Sequence, residues 1–439
     1  MRLRTERSLS MTSTADRPIA ILSAPGSRGD VNPMVAIGGE LKRQGFDVVI
    51  SLAENYAEVA VAAGLQAEAV ISRREFDAMI GDPNVWKPLH GARAVLRDAA
   101  GKFIEPHLDV IHRHSRSQQT ILVSHPLDFA SRIYRDHDAS VPLVSVQLSP
   151  AIVRNAEDPP RLSPWWFEPR RPAWLVNAGY AAVDYLIADR FLSPSINKTR
   201  KRLGLAKVSR ILDRWWSSPD LVLGMYPDWF GDSRPRCDGR WQTCGFPLDS
   251  VRSEPVAKHD AKESRRGAIF VTPGTAHRHA RDLFRNAIAA CKRIDRPCIL
   301  ATSYSEQLPV PLPSHVSSRG YAPLDPLLRD CAAIIHHGGI GTTSMAFAMG
   351  CPQLICPLAF DQFHHADRVT DLGVGRESRQ SPWQYRPAAV NEMAESLLGL
   401  IEHAATQSRC EEFATRRSAY QGATVAAEAI QDLYLSRVS

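Results

Sequence analysis

Apolar residues arrive in this chain in two alternating rhythms: short unbroken runs, and longer stretches where they recur every third or fourth position. The runs at 19–23, 47–52, 66–71, 120–124, 141–147, 220–226 and 241–246 predict buried strands in the first half. Those at 267–272, 298–302, 331–335 and 353–356 predict them in the second. Between them, Met34, Ile37 and Leu41, and later Leu283, Ala287, Ile288 and Cys291, fall on one side of a helix. A first helix is expected to begin near Pro33, a favoured first-turn residue, and others over 57–64, 280–293, 341–349, 388–403 and 424–435. Strand, helix and strand in repetition imply parallel sheets covered by helices.

At 439 residues the chain is too long for one ordinary core. A charged, turn-rich stretch at 247–266 reads as a linker between domains at 19–246 and 267–420, with a closing helix in 421–439. Residues 1–18 lack an apolar core segment and read as a disordered leader rather than a signal peptide. No apolar run reaches the roughly 18 residues of a membrane span. The eight cysteines all lie in the second half without metal-type spacing, which points to a reducing compartment. A net charge of +6, with arginines scattered and no alternation of basic and aromatic residues, argues against a nucleic-acid partner. Aromatics are dense between 159 and 216, where Trp165, Trp166, Phe167, Trp174, Tyr180, Tyr185, Phe191, Trp215 and Trp216 stand among Arg161, Arg170 and Arg171. They suit an apolar binding mouth or shallow contact with a membrane interface, or else ordinary core packing.

Candidate chemistry concentrates between residues 334 and 366. A strand there ends in His336, His337, Gly338 and Gly339, and a helix begins at about Gly341, Thr342 and Thr343. A helix N-terminus carries unpaired N–H groups and the positive end of the dipole, and glycines let a phosphate approach closely. A diphosphate fits that place, with a donor from His337 and hydroxyls from Thr342 and Thr343. After the next strand, Asp361 and Gln362 offer acceptors and an amide for adjacent sugar hydroxyls. Thr275, in the turn after the 267–272 run, is placed to face the same phosphates. The competing reading is a plain strand, turn and helix with packing glycines. The histidine at the strand end and the Asp-Gln pair weigh against it.

At the other end, the first strand runs into Gly26, Ser27, Arg28, Gly29 and Asp30, at the carboxyl edge where doubly wound sheets place their sites. A dinucleotide fingerprint is absent. Asp30 is a candidate general base, with helix capping as its structural alternative. The 120–124 strand ends in His125, with Asp128 just beyond. His125 is the rival base.

The run from His337 to Thr343, continued by Asp361, Gln362 and Ala366, resembles the donor signature of family 1 nucleotide-sugar glycosyltransferases. Its His-His-Gly-Gly form is similar to the bacterial sterol and antibiotic branch. Ile340 stands where many relatives carry Trp, and His365 where many carry Asn. The Gly26 to Pro33 loop resembles that of the same branch, in which the residue matching Asp30 is the proposed base, and a second carboxylate orients it in the wider family. Asp128 is the nearest candidate. The Gly320 to Leu324 segment resembles the start of the donor box, so Tyr321, with Ala322, is expected to stack on the base, while Leu324 lacks the amide that reads it. Segments 81–88, 104–106 and 196–230 are similar to the rhamnosyltransferase chain of glycolipid biosynthesis.

This resemblance implies an α/β protein of GT-B fold, two Rossmann-like doubly wound parallel-sheet domains facing a central cleft. The implied reaction is inverting transfer of a hexose, from dTDP-rhamnose or UDP-glucose, to a hydroxyl of an apolar or lipid acceptor. The nucleotide sugar is a co-substrate, with no further cofactor and no metal. The implied location is the cytoplasm, with peripheral contact at the inner face of the membrane. A nucleotide-sugar epimerase and a catalytically silent partner of another transferase are the competing functions.

Overall fold

The computed structural model describes residues 17–163, 172–231, 239–249, 267–320 and 323–438. It holds two all-parallel sheets. In the first, strands β1 (Ile19–Ala24), β2 (Asp47–Ala53), β3 (Gln66–Ile71), β4 (Thr120–Ser124), β5 (Leu143–Gln147), β6 (Leu221–Gly224) and β7 (Arg240–Thr243) lie in the order β3-β2-β1-β4-β5-β6-β7. In the second, β8 (Ala268–Thr272), β9 (Cys298–Ala301), β10 (Val316–Arg319), β11 (Cys331–His336), β12 (Gln353–Ile355) and β13 (Gly375–Glu377) lie in the order β10-β9-β8-β11-β12-β13. The central strands are wholly buried, which is why they read as continuous apolar runs. β10 and β13 escape that reading: Val-Ser-Ser-Arg and Gly-Arg-Glu are edge strands with little to bury.

Each sheet reverses its strand order once, between β1 and β4 and between β8 and β11. Ligands of open α/β sheets bind at such points. The register puts Leu22 opposite Val123 in the first sheet and Thr272 opposite His336 in the second. The loops leaving those strands are therefore thrown together at one edge of each sheet.

The first helix runs over Arg28–Arg43, five residues earlier than Pro33 suggests. Ser27 is its N-cap and Asp30, in the first turn, turns back to it as a capping box, so the start is set by these two residues and Pro33 sits inside. The Gly422–Val438 helix lies against this first helix. Ala423, Ala426, Ile430 and Leu433 join Met34, Ile37 and Leu41 in the first sheet's core, and Tyr434 meets Phe46 edge-on at 5.5 Å. The helices between residues 73 and 114 and between 173 and 202 include wide turns at Ala94–Ala100 and Asp184–Ala188.

Contacts on both sides join the halves across the cleft. Arg161 donates to Asp367 Oδ2 (2.9 Å) and to the Phe363 carbonyl (3.1 Å), and pairs with Glu377. On the other side Arg278 reaches Asp77 (3.0 Å), and His277 is stacked between Trp86 and Trp383 at 4.8 and 4.4 Å. Among the described residues, no helix is long and apolar enough to cross a membrane.

Candidate active site

A cavity of about 1950 Å³ lies between the two sheet edges. Pockets for one small ligand usually measure roughly 300–1,000 Å³, so there is room here for two partners side by side.

On the first sheet's side, Asp30 meets His125. The β1–β4 adjacency brings Asp30 Oδ1 within 3.1 Å of His125 Nε2. Leu127 N–H donates to His125 Nδ1 (3.1 Å), which leaves the ring proton on Nε2, pointing at the carboxylate. The other Asp30 oxygen accepts from Ser27 N–H (2.7 Å) and Ser27 O–H (3.1 Å). Burial pushes the Asp30 carboxyl up, but His125 and Ser27 outweigh it and hold its pKa below the ordinary value. Gly26 is required here, because a Cβ would fall 2.2 Å from Asp30 Oδ2. Gly29 has space for a side chain. Arg28 lines the cavity.

Asp128 does not orient Asp30. The chain turns back after β4, with Asp128 N–H donating to the His125 carbonyl, and this swings the Asp128 side chain under the sheet edge. There it accepts from Ser23 O–H (2.7 Å) and Ser131 O–H (2.6 Å) and faces His107 Nε2 at 3.2 Å. Burial raises its pKa, yet His107 and the two hydroxyls bring it down to about 2. Ser23 in turn accepts from His125 N–H (3.0 Å). Asp128 therefore reaches the site only through Ser23 and the backbone.

On the second sheet's side, His337 stands directly after β11, its ring between two glycines. A Cβ on Gly274 would lie 2.4 Å from the ring, and one on Gly339 equally 2.4 Å away. Gly274 also has φ of +86°, open to glycine at least cost. The Ile340–Met349 helix begins at Gly339, so the N–H groups of Ile340 and Gly341 precede its first internal bond. Burial and the neighbouring His365 lower the His337 pKa to about 4, and its buried Nδ1 has no hydrogen-bond partner. A neutral donor next to free N–H groups is a site for an anion. Thr342 and Thr275 line the cavity; Thr343 is buried away from it and Gly338 lies behind the ring. Helical rotation of about 100° per residue turns Thr343 toward the sheet and leaves Ser344 at the cavity instead.

Asp361 and Gln362 face the cavity from the start of the Gln362–Asp371 helix. The Gln362 carbonyl is already taken by Leu358 N–H (2.8 Å) and Ala359 N–H (3.1 Å), so toward a sugar this amide is a donor only. Burial pushes the Asp361 carboxyl up; His365 opposes it and Asp30 across the cleft adds to it. Phe360 precedes it with φ of +58°, a strained position for a side chain of that size. His365 Nδ1–H donates to the Gly338 carbonyl (2.7 Å) and Nε2 faces Ser149 Oγ (2.7 Å), so it holds the glycine turn and touches the other half at once. His336 is structural, between Gln353 and Gly338 N–H. Leu324 lines the cavity, whereas Tyr321 and Ala322 lie outside the described residues.

Sequence reasoning missed the other wall. Phe76, Ile80, Val95, Leu96, Ile152 and Ile187 line it from helices far apart in the chain, with Leu148 from the loop after β5. The aromatics of 159–216 divide: Trp215 is buried beneath Arg132 and Arg200, while Trp174 and Tyr185 point outward at 69% and 79% exposure. Trp165, Trp166, Phe167, Arg170 and Arg171 lie outside the described residues. The Asp-x-Asp triplet at Asp136 to Asp138, a pattern that can hold a metal, is turned elsewhere: Asp136 pairs with Arg132 and Arg200 and lines no part of the cavity. Among the described residues no group of three His, Cys, Asp or Glu is placed to hold an ion.

Residues 285–426 match the family described as erythromycin biosynthesis protein CIII-like, C-terminal domain. An uncharacterized glycosyltransferase of Mycobacterium tuberculosis is 26% identical over 379 residues, 82% of this chain and 87% of that one. A sterol 3-beta-glucosyltransferase of Saccharomyces cerevisiae is 26% identical over 412 residues, which span 86% of this chain but 33% of that longer protein. Among solved structures, a spinosyn rhamnosyltransferase in complex with thymidine diphosphate superposes with a TM-score of 0.65 at 16% identity, covering 94% of this chain and 99% of the other. That likeness is one of fold, two parallel-sheet halves around a cleft.

Proposed function

From the premise that the chain is a family 1 glycosyltransferase of GT-B fold, we propose that it moves a hexose from a nucleoside diphosphate sugar to a hydroxyl of an apolar acceptor, with inversion. The observation that carries this reading is the join in the cavity: an anion-ready wall around His337 and an apolar wall meet where Asp30 stands. Asp30 takes the acceptor proton as the oxygen attacks the anomeric carbon. The bond from that carbon to the diphosphate breaks, and the diphosphate leaves with the electron pair. His337, the Ile340 and Gly341 N–H groups and the hydroxyls of Thr342 and Thr275 receive its charge, a task that asks for no metal in this reading. His125 keeps Asp30 ionised and aimed. Asp361 accepts from sugar hydroxyls and the Gln362 amide donates to one.

For the donor we favour dTDP-rhamnose, with UDP-glucose next. The rhamnosyltransferase-like segments and the thymidine diphosphate bound by a fold neighbour support that order. For the acceptor we favour a lipid, supported by the apolar wall. The test is product analysis by mass spectrometry with each donor, with and without a panel of lipids that carry a free hydroxyl. A glycosylated acceptor whose formation Asp30→Asn abolishes is expected. Conversion of the donor without acceptor means an epimerase, and nucleotide binding without any product means a silent partner; either rejects the proposal.

A further inference from the structure

The Ala173–Val183 helix reads AWLVNAGYAAV, with no charged residue, and its buried residue is Val176. A helix without charge and with Asn177 and Tyr180 as its polar side chains belongs in a core or against a membrane, but this one lies at the surface. Trp174 is 69% exposed, Leu175 39% and Val183 45%, and the wide turn that follows adds Tyr185 at 79% and Leu186 at 61%. Ala178, Ala181 and Ala182 are exposed between them, so positions 174, 178, 181, 182 and 185 form one outward stripe. The other side of the same ridge belongs to the cavity, where Val183, Ile187 and Ala188 line the apolar wall. One turn of helix thus separates the acceptor space from solvent, apolar on both faces.

The surroundings favour an anionic partner. Arg190, in the next turn, is exposed, as are Lys87 on the bend before the wall's helices and Arg93 and Arg97 on them; Arg97 lies 3.7 Å from Asp98, and the loop that Tyr180 meets at the Asn155 carbonyl exposes Glu157 and Asp158, so the basic side chains outnumber the acidic ones by a small margin. The chain as a whole carries +6. Trp and Tyr side chains next to basic residues suit the level of lipid headgroups. A second protein copy is a poorer fit: residues 173–188 make a strip about 24 Å long and about 10 Å across. That is well short of the roughly 800 Å² per partner of a specific protein interface.

We propose that the 173–188 ridge docks on an anionic bilayer surface and admits a membrane-dissolved acceptor to the cleft past its inner face. The proposal rests on the glycosyltransferase reading for the word acceptor, and on the ridge itself for the docking. The test is flotation of the full chain with vesicles of phosphatidylglycerol and phosphatidylethanolamine, and with phosphatidylcholine vesicles as the neutral comparison. The wild type should float with the anionic vesicles, and less so as salt rises. Replacing Trp174, Tyr185 and Leu186 together by Ser should lower the bound fraction at least about five-fold. None of the three lines the cavity, so the stabilisation of the fold by dTDP or UDP should be unchanged in the variant. A variant that floats like the wild type, or a wild type that does not float, overturns the proposal. So does a wild-type dimer that the three substitutions convert to monomer, since the ridge then serves a second copy. Loss of nucleotide response in the wild type would instead reject the functional reading and leave the flotation result standing on its own.

Discussion

The two walls of the cleft are built on opposite plans. The wall we propose for the donor is compact in sequence: β11, one glycine turn, one helix, β12 and the start of the next helix supply His337, Gly339, Thr342, Asp361 and Gln362 within 26 residues. Its atoms are crowded and particular, with a ring held between two glycines and an amide whose carbonyl is already spent. The wall we propose for the acceptor is gathered from helices and the loop after β5, spread over residues 76 to 188, from side chains that are merely apolar. The first plan binds by directed hydrogen bonds and fixes one chemistry; the second binds by area and tolerates many shapes.

The sharpest way to break this contrast is at the seam. Asp30→Asn keeps the size but removes the proposed base and turns one of its two accepting oxygens, which face Ser27 and His125, into an NH2 donor, so kcat should fall by about 10²–10⁴ while nucleotide stabilisation of the fold persists. A variant that retains most of its rate would move the base elsewhere. His125→Ala is not equivalent, because it also releases the Asp30 carboxyl from a partner.

On the donor wall, His337→Ala should weaken nucleoside diphosphate binding by about 10- to 100-fold, the worth of one charge-assisted hydrogen bond. Calorimetry should also reveal a linked proton. Burial and His365 lower the His337 pKa to about 4, so without nucleotide it is neutral at pH 7. A bound diphosphate favours the imidazolium, so affinity should rise as pH falls from 7 toward 5 and protons should be taken up from the buffer. The variant should lose that slope. In the protein without nucleotide the sign is reversed: a histidine depressed in the folded state makes stability decline as pH falls below its unfolded value.

Gly339→Ala asks less of the fold, since Gly339 has φ near −63°, but its Cβ would stand 2.4 Å from His337 Nε2. The ring must move, and diphosphate affinity should drop by about tenfold with the melting temperature of the free protein little changed. On the acceptor wall the effects should be smaller and of another kind. Leu96→Gln should raise the acceptor KM several-fold, roughly the 1–2 kcal/mol of lost apolar contact, with no change in nucleotide binding. An equal loss of nucleotide affinity would mean that the walls are coupled.

How much could be read from the chain follows the same division. A strand that meets glycines and a helix start is a contiguous signal, and the His337 turn stands where that signal put it. What one dimension could not supply is rotation. Thr342, Thr343 and Ser344 look alike as text, and only the helix phase decides which two face the cavity. After β4 the sequence offers His125 and Asp128 equally, and the turn that buries Asp128 against His107 rests on a hydrogen bond between backbone atoms. Edge strands β10 and β13 have too few apolar residues to announce themselves. The acceptor wall has no pattern of its own, because apolar side chains on helices serve the core and the cavity with the same letters.

The return of the Gly422–Val438 helix to the first sheet also sets a timetable for synthesis. Met34, Ile37 and Leu41 are made early, but their cover, Ala423 to Leu433, leaves the ribosome almost 400 residues later. At about 5–20 residues per second that is a delay of tens of seconds or less, during which an apolar helix face stands open. That face stays open until residues 423–433 are made, and a stop codon before residue 422 would leave it without this cover.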